Sequence, residues 1–170
     1  MILARKLKLI VSDEQHKVLI ETLDQYKKCV DRVFEYGFQN HLISGSTLHK
    51  ATYYELRNEY PNLPSALVCC ARVKATEALK AIKKQTKNKW NTNCPKAGKF
   101  PAIRYNTTCC SIGKDTFAVA TIKNRIKLGI INNPFVKEDV KQFSTTCELF
   151  YRRGNWYLTV FVETHCEDLI

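Results

Sequence analysis

The chain has 170 residues, room for one or two small domains that bury about two-thirds of their unfolded surface without disulfide staples. Its 27 Lys and Arg residues outnumber 16 Asp and Glu, a net charge of +11 that points to a polyanionic partner. No apolar run approaches the roughly 18 residues a membrane span needs, so no membrane partner is expected, and the opening MILARKLKLIV is too short and too interrupted by charge for a secretory signal.

Residues Leu3 to Val11 read as a strand, with Leu7, Leu9 and Val11 on one side and Lys6, Lys8 and Ile10 on the other. Ser12 opens a helix. With Gln15 it forms a capping box, and Asp13 and Glu14 suit the positive end of the helix dipole. Leu19, Leu23, Tyr26, Val30, Val33 and Phe34 carry the helical period on to about Gln39. Ile43 to Thr47, with its Ser-Gly-Ser, reads as a loop. A shorter helix follows from Leu48 to Glu59, containing Tyr53, Tyr54 and Arg57, and YPNLP ends it.

Pro64 suits the first turn of a third helix, predicted to run to about Trp90. Leu67, Ala71, Ala75, Ala78 and Ile82 recur on one of its faces, and Lys80, Lys83, Lys84 and Lys87 on the opposite one. From Arg72 to Lys99 nine basic residues (Arg72, Lys74, Lys80, Lys83, Lys84, Lys87, Lys89, Lys96, Lys99) meet a single acid, Glu77. A solvated face normally mixes signs, because like charges one turn apart repel by a few tenths of a kcal/mol. A stripe of one sign forgoes that pairing, which favours phosphate binding over a merely soluble surface.

Residues 91–99 form a basic connector rich in Lys, Asn and Gly. Beyond it lie short β-rich pieces, PAIRY, TCCSIG, DTFAVATI and NRIKLGI, separated by turn residues. Pro134 to Phe143 reads as one short helix. CELFYRR, a turn at Gly154-Asn155, and WYLTVFVE make a closing hairpin with Trp156, Leu158, Val160 and Val162 on one face. The fold class is α+β: a small OB-like β-barrel from residues 1–11 and 100–170, with a three-helix insertion, residues 12–99, after its first strand. Charge divides unevenly, 18 basic to nine acidic residues in 1–99 and nine to seven in 100–170. The helical insertion is the electrostatic arm.

Eight cysteines, at 29, 69, 70, 94, 109, 110, 147 and 166, contain no Cys-x-x-Cys. Adjacent pairs are a poor template for tetrahedral zinc, and without a secretory signal a disulfide framework is not expected. They read as small apolar residues of a reducing, cytoplasmic protein, and no cofactor or metal is expected. The four histidines are scattered, and the adjacent acids Glu138/Asp139 and Glu167/Asp168 diverge on either a strand or a helix. Metal-assisted nuclease chemistry needs carboxylates gathered from separate elements. Aromatic and basic residues do adjoin repeatedly: Tyr53, Tyr54 and Arg57; Arg104 and Tyr105; Tyr151, Arg152 and Arg153, with Trp156 and Tyr157 across the turn. Bases stack on exposed rings and guanidinium groups take phosphates. Each strand tyrosine fits a core position as well, and Arg152 and Arg153 also fit a turn kept soluble.

KLKLIVSDEQ, YYELRNEYPNLPSALVCCARVKATEALKAIKK, KFPAIRY and YRRGNWYLTVFVE, in this order, resemble the N-terminal half of the TnpB/OrfB proteins of insertion sequences, relatives of type V CRISPR effectors. The resemblance covers essentially the whole chain. It implies a barrel "wedge" domain interrupted by a helical recognition domain, a guide RNA and a double-stranded DNA target as partners, and protein contacts to a short flanking motif while base pairing reads the rest. By position, it implies that Tyr53, Tyr54, Arg57, Lys80, Lys83, Lys84, Gln85 and Lys87 face the flanking duplex and the start of the heteroduplex. Arg104, Tyr105, Lys123, Lys127, Arg152 and Arg153 would grip guide RNA and backbone. The family's RuvC-like nuclease would begin where this chain stops, at Ile170, so the expectation is a non-catalytic recognition module. The alternatives are a fragment or subunit of an RNA-guided endonuclease, its nuclease domain or chain supplied in trans, and a generic basic nucleic-acid-binding protein.

Overall fold

The computed structural model describes residues 2–131 and 143–163. The elements run β1 (Ile2–Ile10), α1 (Asp13–Gln39), α2 (Gly45–Glu59), α3 (Ser65–Gln85), β2 (Ile103–Asn106), β3 (Cys110–Ile112), β4 (Thr116–Thr121), β5 (Asn124–Ile130), β6 (Phe143–Arg152) and β7 (Asn155–Glu163). The architecture is α+β, with three helices between the first strand and the other six. The short helix expected at Pro134–Phe143 lies outside the described residues, except that Phe143 opens β6. The chain forms two compact units: residues up to Leu19 with those from Ala102 onward, and Ile20–Pro101.

The strands form one antiparallel sheet, ordered β2-β6-β7-β1-β5-β4-β3. Its two edges, β2 and β3, are consecutive in the chain and come together. The Tyr105 hydroxyl on β2 donates to the Ala120 carbonyl of β4 at 3.1 Å, and the Cys110 and Cys147 sulfurs lie 3.5 Å apart. The sheet is thus a nearly closed seven-stranded barrel, which leaves little free edge. Period-two alternation sends Leu7, Leu9, Ile103, Tyr105, Phe117, Val119, Leu128, Leu149, Trp156, Leu158, Val160 and Val162 inward. Each such side chain contributes about 1.5–3 kcal/mol when fully buried.

In the other unit the core is Leu23, Tyr26, Cys29, Val30 and Val33 of α1, Leu48 and Leu56 of α2, and Leu67, Ala71, Ala75 and Leu79 of α3. Gly37 permits close packing there, because a Cβ at this position would meet the Leu79 side chain and the Leu42 carbonyl oxygen. Burial pushes the Cys29 thiol up to about 12. None of the seven described cysteines is in a disulfide, and five of them are buried. The Arg32 guanidinium ties α1 to α2 through Glu55 (2.6 Å) and Glu59 (3.0 Å).

The capping box forms as read: the Ser12 amide donates to Gln15 Oε1 at 3.0 Å and the Gln15 amide to Ser12 Oγ at 3.2 Å. Several boundaries move, β1 by one residue at each end (Ile2–Ile10 against Leu3–Val11). Helix α2 starts at Gly45 rather than Leu48, because the Ser44 side chain accepts from the Thr47 amide and caps a turn the apolar period does not mark. Pro64 is the N-cap of α3, with extended ψ, rather than its first helical residue. Helix α3 stops at Gln85, five residues short of Trp90. Lys87 adopts the left-handed conformation (φ 49°), the Asn88 amide donates to the Lys83 carbonyl, and the Lys87 amide donates to the Lys84 carbonyl. This pair of bonds is a Schellman C-cap with lysine where glycine is usual. The closing turn is Arg153-Gly154 (φ 50° and 79°), one residue earlier than Gly154-Asn155, and Asn155 pairs with Arg152 as strand.

Candidate nucleic-acid interface

The buried face of α3 is Leu67, Val68, Cys70, Ala71, Ala75, Thr76 and Leu79. The basic residues divide around it. Arg72 and Lys74, in the first half, are partly buried: Arg72 Nη1 occupies the space beside Gly45, and Lys74 Nζ lies 6.0 Å from the centre of the Tyr26 ring. Lys80 and Lys84 are exposed, Gln85 is exposed and Lys83 is half-buried. Exposed Lys87 and Lys89 follow on the capping turn, off the helix, where the sequence had placed Lys87 on the helical stripe. Cations here also complement the negative end of the helix dipole. Among the described residues none of Lys80, Lys83, Lys84, Lys87 and Lys89 forms an ion pair.

Trp90 fixes that turn. Its buried ring stacks on His41 (5.0 Å, 2°) and meets Phe38 edge-on (5.8 Å), while its amide donates to Thr86 Oγ1 and its indole to Asn88 Oδ1, each at 3.2 Å. Lys87 and Lys89 therefore flank an anchored turn. On α2, Tyr53 stacks on His49 (4.5 Å) and meets Tyr54 edge-on (5.3 Å), leaving Tyr54 71% exposed. Arg57 is differently employed, since its Nη1 donates to the Leu63 carbonyl and fastens the turn between α2 and α3.

On the barrel, Tyr105 is a correction to the expected surface set. Its side chain is wholly buried, edge-on to Phe117 at 6.1 Å with its hydroxyl bonded to Ala120, so it presents no ring face to solvent. Arg104 is the cross-strand partner of Glu148, with Nη2 3.6 Å from its carboxylate, an acid pairing that competes with phosphate. Lys123 is exposed in the β4–β5 turn, and Lys127 is exposed on β5, where its carbonyl accepts from Gln15 Nε2 at 2.9 Å. Arg152 and Arg153 are exposed at the hairpin turn.

The structure adds a ladder the sequence reading did not assemble. Across the outward face of β1, β7 and β6, Lys6 Nζ lies 5.0 Å from the Tyr157 ring, Tyr157 stacks on Phe150 at 5.4 Å (23°), and the Arg152 guanidinium carbon lies 5.8 Å from the Phe150 ring. Lys8, also exposed, pairs with Tyr157 in register. Two ring faces with a cation at either side are the elements of a stacking platform for single strands. A turn at Gly154-Asn155 would pair Phe150 with Thr159; the turn one residue earlier pairs it with Tyr157.

These surfaces gather cations and rings rather than acids. Among the described residues no group of three or more His, Cys, Asp and Glu is placed to hold a metal ion, and no helix is long and apolar enough to cross a membrane. The fold and its surfaces define an α+β chain with a nearly closed antiparallel barrel, a helical insertion and local groups of exposed cations and aromatic rings. No protein-family model matches the chain, and no curated protein does. Among solved structures, it is similar to a chain of the cryo-EM structure of the Cas12f1–sgRNA–target DNA complex (TM-score 0.54, 10% identity, covering 97% of this chain and 49% of that chain). It is also similar to a chain of the cryo-EM structure of the CRISPR-Cas12f ternary complex (TM-score 0.52, 9% identity, covering 90% of this chain and 42% of that one). The chain thus spans less than half the length of either. At such identities the likeness is one of fold.

Proposed function

We propose that the chain is an RNA-guided DNA-recognition module of the TnpB and Cas12f kind, binding guide RNA and a short motif flanking a double-stranded DNA target, and not itself catalytic. The observation that carries this reading is the cluster of Lys80, Lys83, Lys84, Lys87 and Lys89, free of ion pairs among the described residues, on a chain that shares its fold with chains solved in complexes with guide RNA and target DNA. In this reading α2 and the end of α3 hold the flanking duplex, with Tyr54 and the lysines as contacts. The barrel holds guide RNA through Lys6, Lys8, Phe150, Tyr157, Arg152 and Arg153. Gathered cations attract phosphate strands, and base pairing supplies the sequence discrimination.

Purifying the chain from its host and sequencing the RNA that accompanies it tests this reading. One structured RNA species, bound with an affinity that falls steeply with salt, supports it. Equal affinity for any RNA or DNA of the same length contradicts it and favours a generic basic binding protein. The coverage of 49% and 42% of the similar chains favours one further reading, in which the module acts with a nuclease domain or chain supplied by other sequence. Magnesium-dependent cleavage by this chain alone would contradict the non-catalytic assignment.

A further inference from the structure

At one mouth of the barrel, where strand β1 gives way to the first turn of α1, lies a cavity of about 280 Å³ that the surfaces above do not include. Strand alternation turns Tyr151 and Trp156, register partners on either side of the hairpin turn, towards the side opposite Phe150 and Tyr157. Helix α1 brings His16 against them. The three rings stand close around the hollow, Tyr151 5.1 Å from both His16 and Trp156, and His16 6.0 Å from Trp156. Trp156 Nε1 donates to His16 Nδ1 at 2.9 Å. An indole N–H can only donate, so Nδ1 is the acceptor here and the His16 ring carries its own N–H on Nε2. Asp13 and Asn155 supply the polar lining. Asn155 Nδ2 donates to the Arg153 carbonyl at 3.3 Å, which leaves its Oδ1 to accept.

Barrel mouths are a recurrent place for ligands, and clefts for drug-sized molecules run from about 300 Å³ upwards. This cavity suits one flat ring system rather than a strand. The polar groups of its lining residues include the Asp13 carboxylate and Asn155 Oδ1 as acceptors, His16 Nε2–H as a donor, and the Tyr151 hydroxyl, which can do either, beside aromatic surface. Guanine complements that set: its N1–H and N2 amino group form parallel bonds to a carboxylate, and its O6 accepts. Arg152 and Arg153, exposed on the same turn, are in place for the neighbouring phosphates.

We propose that this mouth receives a single extruded guanine of the bound RNA. The inference rests on the RNA-binding reading of the barrel and adds a base-specific site to it. It is tested on the whole chain at low salt with fluorescently labelled oligouridylates of about twelve nucleotides, carrying one central guanosine, adenosine, cytidine or uridine. The guanosine oligonucleotide should bind about tenfold more tightly than the other three, the discrimination a good bidentate pair provides. Asp13→Asn, which keeps the size of the side chain and leaves the Ser12–Gln15 capping box in place, and Tyr151→Leu should each remove that preference, while Arg153→Ala should weaken all four alike. Four equal affinities, or a preference for adenosine or cytidine, overturn the guanine pocket and leave RNA binding standing. Binding of none of the four overturns both.

Discussion

Tyr105 and Lys84 show what separates a core residue from a contact residue in this chain. Both adjoin other basic or aromatic residues in sequence, yet Tyr105 is wholly buried and bonded to Ala120 while Lys84 is exposed and free of ion pairs among the described residues. Tyr105→Phe should leave RNA affinity unchanged and cost about 1 kcal/mol of stability, because it strands the Ala120 carbonyl. Chemical denaturation and a binding titration of the same variant check both halves. Lys84→Gln should do the reverse, with stability changing by less than about 0.5 kcal/mol and RNA affinity falling. At the same scale, Cys29 sets the response to alkali. Its folded value, about 12, lies above the unfolded one, so its contribution to stability is complete below about pH 9 and is lost as pH rises from there through about 12. Tyr60, pushed up to about 12 by burial and by its bond to Glu59, acts in the same direction. The urea midpoint should therefore fall between about pH 8 and about pH 10.5, and Cys29→Ala should flatten the fall.

Helix α3 and its C-cap form the element on which the interface depends. The Schellman turn places Lys87 at φ 49°, a conformation that costs a non-glycine residue about 1 kcal/mol. Lys87→Gly should raise stability by up to that amount and also weaken RNA binding, and a paired unfolding and binding measurement should show opposite signs. Raised stability with unchanged RNA binding would mean that Lys87 is a structural cap alone. The turn also marks how far sequence reading reaches. Alternation located β1 to within one residue at each end, the capping motif gave the Ser12–Gln15 cap and helical periodicity the end of α1 at Gln39, because each follows from contacts a few residues apart. Periodicity overran α3, since a left-handed lysine carries no glycine signal, and the Trp90 ring that anchors the turn packs on Phe38 and His41 about fifty residues upstream in the chain. The Arg104–Glu148 pair and the Lys6–Tyr157–Phe150–Arg152 ladder were illegible for a related reason. Both depend on long-range strand register, and a turn misplaced by one residue rearranges every partner on the hairpin.

For the whole molecule, the net charge of +11 is a property of the sequence, whereas its use depends on how many cations remain available once the chain folds. Acids occupy Arg32 and Arg104, and a carbonyl occupies Arg57. Five lysines at the end of α3 and the exposed Lys6, Lys8 and Arg153 are not so occupied among the described residues. Each phosphate contact releases counterions and steepens the dependence of affinity on salt by roughly 0.7–0.9 in a double-logarithmic plot. The most direct test is the salt dependence of affinity for the accompanying RNA, measured for the wild-type chain and for Lys80→Gln/Lys84→Gln. We expect a slope of magnitude about 3 or more, shallower by about 1.5 in the double variant. A slope near zero, or a steep one that the double substitution leaves unchanged, would contradict the assignment of these lysines to a sugar-phosphate backbone.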